Sequence, residues 1–422
     1  MEDTYLKRIV DVELKEYLEF SGAVLIEGAK WCGKTSTAEE VAISTLYMQD
    51  RDKSSTYIEK ANTKPSSLLE GDVPRLIDEW QIAPVLWDAV RFSVDKRKGK
   101  SGQFILTGSA VPKDDGMRHS GTGRIARLLM RPMSLFESLE SNGTVSLGNL
   151  FDGVDMPYVV SELSHEKLAF ALVRGGWPAS IGLKENIALR IAREYIKSVI
   201  NTDISKVDGV KKNPANVRKL LKSLSRNIST TATITTISKD VMGENRTISE
   251  RTVVSYIAVL KRIFVIEELP AWSPSLRSKT AIRSSSKRYF VDPSIATASM
   301  NISPDKLLND YNIFGLLFES LCIRDLRVYA QSIDGEVFYY RDKQGLEIDA
   351  IVELYDGRWG AIEVKLGSTT GIDEAVKNLK KFRDNIDTNR TPAPSFLMVL
   401  TATEQSYEKD GVLIVPIGCL KN

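Results

Sequence analysis

Apolar positions recur along this chain in two rhythms. Leu6, Ile9, Val10, Leu14, Tyr17 and Leu18 follow spacings of three and four, which predicts an amphipathic helix over residues 5–20. Ala23-Val24-Leu25-Ile26-Glu27 is different: successive apolar side chains point to opposite faces, as in a strand buried on both sides. Arg75–Glu79 and Gln103–Ser109 repeat that run, with helices predicted over 34–46 and 82–95. Short apolar strands alternating with helices predict an α/β fold, a parallel sheet covered on both faces.

Residues 111–123 are polar with three glycines and predict a mobile loop. The pattern over 160–205 is helical, broken at Gly175-Gly176-Trp177-Pro178. Helix 215–227, turn 229–235, helix 249–264 (N-capped by Ser249) and strand 263–269 follow, an order that suggests a winged helix-turn-helix. A helix over 311–327, strands over 337–340, 346–354 and 360–364, a helix over 372–384 and strands over 395–400 and 411–416 predict a second α/β region. The expected domains are 1–155, a helical segment 156–205, a module 206–290, and 291–422.

Composition narrows the chemistry. Three cysteines lie far apart and only two histidines are present, which excludes a His-rich metal site and argues against zinc ribbons, disulfide frameworks and a Ser-His-Asp triad. MEDTYLKRIV lacks the apolar core of a signal peptide, and no apolar run reaches the roughly 18 residues of a membrane span, so a cytoplasmic protein without membrane contact is expected. The 422 residues include 57 basic and 55 acidic side chains, a net of +2. That balance hides a cancellation: residues 206–290 hold 17 Lys or Arg against 6 Asp or Glu, a net of +11.

Gly28-Ala-Lys-Trp-Cys-Gly33-Lys34-Thr35 matches G-x4-G-K-[ST] in full, between a strand and a helix. Glycines let successive N–H groups turn inward around phosphate oxygens, Lys34 brings a point charge to the β- and γ-phosphates, and Thr35 offers a hydroxyl to Mg2+. Ser36 follows at the helix start. Asp78 ends the next strand, where a second contact to Mg2+ is needed, and Glu79 beside it can orient and deprotonate the attacking water. Ser109 ends the third strand and can sense the γ-phosphate. Arg124 follows a Gly-rich stretch that also holds Arg118, and is the favoured cation for the transferred phosphoryl group, in cis or from a neighbouring subunit of a homo-oligomer. The bland alternatives are a surface arginine, a strand-ending cap and two solvated acids.

LIEGAKWCGKTS, PRLIDEWQ, FILTGSA and HSGTGRIARLLMRPMSLFES together resemble prokaryotic AAA+-superfamily ATPases whose ATPase domain precedes a characteristic C-terminal domain of unknown function. RGGWPASI and YFVDPSIA resemble that second domain's signatures. The resemblance implies ATP binding with Mg2+ and ATP hydrolysis, without assigning a cellular task.

Near the C-terminus, Glu347-Ile-Asp349 lies on one expected strand, Tyr355-Asp-Gly-Arg358 reads as a turn, and Glu363-Val-Lys365 lies on the returning strand. Alternation puts Glu363 and Lys365 on one face; a suitable register adds Asp349, and helix 311–327 contributes Glu319. Such a set can bind Mg2+ and activate water for phosphodiester cleavage, with Lys365 orienting the water or stabilising the pentavalent phosphate. It resembles the restriction-endonuclease-like nuclease core, an acid followed by Glu-x-Lys on the next strand. An inert relic of that core, or the polar face of a half-exposed sheet, fits the same residues.

Lys211, Lys212, Arg218, Lys219, Arg246 and Arg251 are the candidates to neutralise DNA or RNA phosphates. The expectation is an ATPase whose nucleotide state controls nucleic-acid engagement, with nuclease activity as an extension. The alternative is an ATP-dependent switch that binds proteins.

Overall fold

The computed structural model describes residues 5–109, 121–206, 209–210, 212–242, 248–274 and 285–422. Arg118, Lys211, Arg246 and most of the loop expected over 111–123 lie outside the described residues. The chain divides into two compact units: Met1–Pro132 with Asn201–Lys212 and Ala258–Val265, and Met133–Ile200 with Asn213–Ile257 and Ile266–Asn422.

The first unit is built on a five-stranded parallel sheet with the fold of a P-loop NTPase. Its strands are β1 (Ala23–Glu27), β2 (Ser44–Tyr47), β3 (Arg75–Asp78), β4 (Phe104–Gly108) and β5 (Ile125–Leu129), in the order β2-β3-β4-β1-β5. Alternation along β1 divides the core. Ala23 and Leu25 face one cluster with Ile77, Leu106, Trp80 and Trp87; Val24 and Ile26 face another with Val10, Leu14, Leu76 and Ile105. Each fully buried Leu, Ile or Val contributes roughly 1.5–3 kcal/mol, so the double cover fixes the register of the central strands.

Two expectations change here. The helix expected over 34–46 stops at Glu39, and the chain returns as β2. The polar stretch 51–73 holds helix Ser54–Thr63 and a short 3-10 turn, Pro65–Leu69. Both edge strands escape the apolar-run test for one reason. Only Leu46 of β2 is buried, and β5 carries Arg127, whose guanidinium reaches Glu27 at 2.9 Å. An edge strand has one neighbour and can keep polar positions.

The second unit contains residues 133–155, which the sequence reading assigns to the first domain. The Leu135 N–H donates to Asp325 at 3.0 Å, and β6 (Val145–Ser146) pairs with the chain's last strand. Helices His165–Arg174, Glu185–Ser198, Pro214–Arg226 and Ile234–Met242 are followed by Glu250–Arg262 and by an antiparallel pair, β7 (Ile266–Leu269) and β8 (Lys287–Phe290). Ile234–Met242 replaces part of the expected turn.

Helix Tyr311–Gln331 leads into β9 (Gly335–Arg341), β10 (Glu347–Leu354) and β11 (Trp359–Lys365). Helix Thr369–Asp384, β12 (Phe396–Thr401), β13 (Tyr407–Lys409), β14 (Val412–Pro416) and β15 (Leu420–Lys421) complete the chain. The sheet order is β13-β14-β12-β11-β10-β9. β9, β10 and β11 are antiparallel, whereas β12 runs parallel to β11 after the helical crossover. Gly357, at φ +86°, closes the β10–β11 hairpin, as Asp-Gly between apolar strands predicts.

Candidate functional site

The phosphate loop leaves β1 at its C-terminal end. Gly28 runs so close to the neighbouring chain that a Cβ would lie 2.0 Å from the Met130 carbonyl oxygen, and Gly33 sits at φ +103° before helix Lys34–Glu39. Glycine is therefore required at both positions. Arg8 steadies the loop from the N-terminal segment: its guanidinium donates to the Cys32 carbonyl at 2.7 Å and the Arg131 carbonyl at 2.8 Å. The Lys34 side chain is turned into the loop, where Nζ donates to the carbonyls of Gly28 (3.0 Å) and Ala29 (2.7 Å). Lys34 is only 6 % exposed, and among the described residues it makes no ion pair with a carboxylate.

Asp78 is the hub opposite. It is buried at the end of β3; Oδ1 accepts from Thr35 Oγ1 at 2.7 Å and from the Thr107 hydroxyl, while Oδ2 accepts from Gln49 Nε2 at 2.6 Å. A threonine hydroxyl against a buried carboxylate is a hard-oxygen pair of the kind Mg2+ takes beside nucleotide phosphates, so these residues fit that ion. Glu79 occupies the left-handed region (φ +56°), its N–H donating to Thr107 Oγ1 at 3.2 Å and its carboxylate accepting from Gln81. Burial pushes the Glu79 carboxyl above the usual range; the Lys34 charge opposes that and Asp78 adds to it. Thr107 belongs to the strand end Thr107-Gly108-Ser109, whose polar side chains the sequence marks as a candidate sensor of the γ-phosphate or the water. Gln49, Gln81 and Arg8 belong to no spacing pattern, and the sequence does not mark them.

Ser109 is buried just beyond β4, and Ser36 is exposed in the helix's first turn. Arg124 does not join the phosphate loop of its own chain. Its carbonyl accepts from the Ala23 N–H at the opposite end of β1, five residues or roughly 16 Å of strand away, and its Nε pairs with Asp95 at 2.8 Å.

In the second unit, the β10–β11 register places Asp349 beside Glu363 and Lys365. Asp349 Oδ2 accepts from the Val364 N–H at 2.9 Å, and Lys365 Nζ lies 2.9 Å from Glu363 Oε2 and 3.8 Å from Asp349 Oδ2. Glu319, its side chain 13 % exposed on its helix, accepts from Tyr289 Oη at 2.7 Å; Lys287 Nζ reaches the same Oε1 at 3.4 Å and Glu347 Oε1 at 2.6 Å. Burial lifts the Glu319 carboxyl to about 7, helped by Asp349 and opposed by Lys287. Burial and Asp349 also hold Glu363 well above the usual range.

The shared metal-ligand set expected from Asp349, Glu363 and Glu319 is not formed. Among the described residues no three His, Cys, Asp or Glu side chains are placed to hold a metal ion, and lysine ammonium groups and a tyrosine hydroxyl lie on the carboxylate oxygens. The donor set does not fit a divalent cation. Lys287 and Tyr289 come from β8, outside the hairpin pattern that marks the other residues.

The basic candidates separate as well. Arg218, Lys219 and Arg251 are exposed, whereas Lys212 is 3 % exposed with its ammonium on the Val210 carbonyl, out of reach of a phosphate backbone. No described helix is long and apolar enough to cross a membrane.

Residues 21–139 match a family model described as an AAA domain. Residues 165–306 and 314–420 match two further models, each described as a domain of unknown function. No curated protein matches the chain. Among solved structures, a Walker-type ATPase of Pyrococcus abyssi is 16 % identical, covering 71 % of this chain and 97 % of its own, with a TM-score of 0.43. RuvB of Thermotoga maritima is 17 % identical over 62 % of this chain and 89 % of its own, TM-score 0.28. A DNA replication initiation factor is 15 % identical over 60 % and 86 %, TM-score 0.24. With its parallel sheet and complete phosphate loop, the matched N-terminal region has the fold of a P-loop NTPase and is similar to an AAA domain, and it is followed by two regions similar to domains of unknown function.

Proposed function

We propose that the protein binds ATP with Mg2+ at residues 28–36 and hydrolyses it, and that its nucleotide state controls engagement of DNA or RNA by residues 206–290. One observation carries the nucleotide reading: a buried Lys34 ammonium held by two loop carbonyls and the Cys32 sulfur, with no carboxylate partner among the described residues, across from a Thr35–Asp78 pair suited to Mg2+. A buried cation without an anionic partner is costly, and a polyphosphate supplies that partner. In this reading Gly28, Gly33, Lys34 and Ser36 hold the phosphates, and Thr35 and Asp78 hold Mg2+, which supplies charge neutralisation. Glu79 orients and deprotonates the water, and Ser109 reports on the γ-phosphate. Arg124, at the far edge of its own sheet, meets a phosphate only on a neighbouring subunit, which extends the proposal to a homo-oligomer.

The nucleic-acid part is supported by the order of three helices and an antiparallel strand pair across 214–290, the order of a winged helix. Arg218, Lys222 and Arg226 add an exposed stripe, recurring every fourth residue along one helix. Lys34→Ala tests the core of the reading. ATP binding, followed by a fluorescent analogue, should fall at least tenfold and turnover should disappear; normal hydrolysis by that variant removes the assignment.

A further inference from the structure

The second unit holds a group of charges that the ATPase reading does not use. Four carboxylates, Glu319, Glu347, Asp349 and Glu363, gather around the β10–β11 hairpin and the helix beneath it. Three cations meet them. Lys365 lies against Glu363 and Asp349, Arg341 lies 3.8 Å from Glu347, and Lys287 lies between Glu347 and Glu319. The two lysines are not equivalent: the Lys365 side chain is 31 % exposed, the Lys287 side chain 2 %. Lys287 comes from β8, a strand that pairs with β7 rather than with this sheet, and it is delivered from beneath. Tyr289, two residues on along the same face of β8, donates to the Glu319 oxygen that Lys287 also approaches.

We propose that Lys287 is a built-in ammonium standing between Glu319 and Glu347 where a divalent cation would stand, so that the cluster these two form with Asp349 takes no metal. A divalent ion needs oxygens at about 2.0–2.6 Å converging on one point. Here Glu319 and Glu347 oxygens already meet a fixed ammonium, and Glu319 also takes a hydroxyl. A doubly charged ion introduced between them would meet Lys287. The site is neutralised from within, in place of the metal-dependent cleavage that the Asp349, Glu363 and Lys365 pattern suggests. The inference is independent of the ATP reading.

Mn2+ binding to the full-length, nucleotide-free protein, counted by electron paramagnetic resonance, tests it. Every count is compared with its Asp349→Asn counterpart, so that ions held at Thr35 and Asp78 cancel. Wild type and Asp349→Asn should hold the same number of Mn2+ ions. Lys287→Met should gain one ion per chain, and Lys287→Met combined with Asp349→Asn should lose it again. A wild-type ion that disappears in Asp349→Asn overturns the proposal, and so does a folded Lys287→Met protein that gains none. Circular dichroism establishes whether Lys287→Met folds. If it does not, the wild-type comparison decides alone: equal counts support the internal ammonium, and a lost ion overturns it.

Discussion

Lys34 and Glu79 show how much of this protein's chemistry rests on single buried charges. Lys34 bonds to two loop carbonyls, and Glu79, whose burial disfavours ionisation, lies within reach of its field. The left-handed backbone at Glu79 costs about 1–3 kcal/mol in a residue that is not glycine. The surrounding structure holds it there, its N–H on Thr107 and its carboxylate on Gln81. Glu79→Gln keeps the shape and removes the base proposed above. It should leave nucleotide affinity within about twofold and lower the hydrolysis rate by roughly 10²–10⁴-fold. A single-turnover assay with pre-bound ATP separates the two steps; unchanged turnover would move the base elsewhere.

At the scale of elements, the two signature segments of the C-terminal region hold each other. The Gly176 N–H donates to Asp292 Oδ2 at 2.9 Å, Trp177 Nε1 donates to Ser294 Oγ at 2.9 Å, and Arg324 Nη1 donates to Asp292 at 2.8 Å. Gly176 packs so tightly that a Cβ would lie 2.1 Å from the Met133 carbonyl. Asp292, Arg324 and Asp325 are all buried; Asp292→Ala removes one of the two carboxylates on Arg324, which keeps Asp325, and leaves two buried N–H groups without their acceptor. The expected loss is about 3–5 kcal/mol of stability, read by denaturant unfolding. A loss below about 1 kcal/mol would show that the clasp is not structural. This clasp also shows where sequence reading stops. RGGWPASI and YFVDPSIA stand out one at a time, but 116 residues separate Gly176 from Asp292, and no local pattern encodes that pairing. The same holds for Gln49 on Asp78 and Lys287 on Glu319. The phosphate loop, the central strands and the β10–β11 hairpin were legible because their signals are local: a fixed spacing, a run buried on both faces, and an Asp-Gly turn. The edge strands β2 and β5 were not, because each buries too little to leave an apolar run.

For the whole molecule, the net charge of +2 is a cancellation between a central region at +11 and a remainder at −9. A near-neutral protein has no general affinity for polyanions, so any nucleic-acid binding must come from a local array. One such array is exposed and helical: Arg218, Lys222 and Arg226, with Lys219 beside them. Each phosphate contact neutralised on duplex DNA adds about −0.9 to the slope of log affinity against log salt. If these four residues meet phosphates, the slope should approach −3 to −4 in magnitude, and charge reversal at Arg218 and Lys222 should reduce it by about 2. The same titration can be run on ATPase rate. Stimulation by DNA or RNA that weakens with salt, and that the reversed variant loses, ties nucleotide turnover to the basic helix. A flat response, with or without nucleic acid, would instead point to a switch that binds proteins, with the charges as a solvated face.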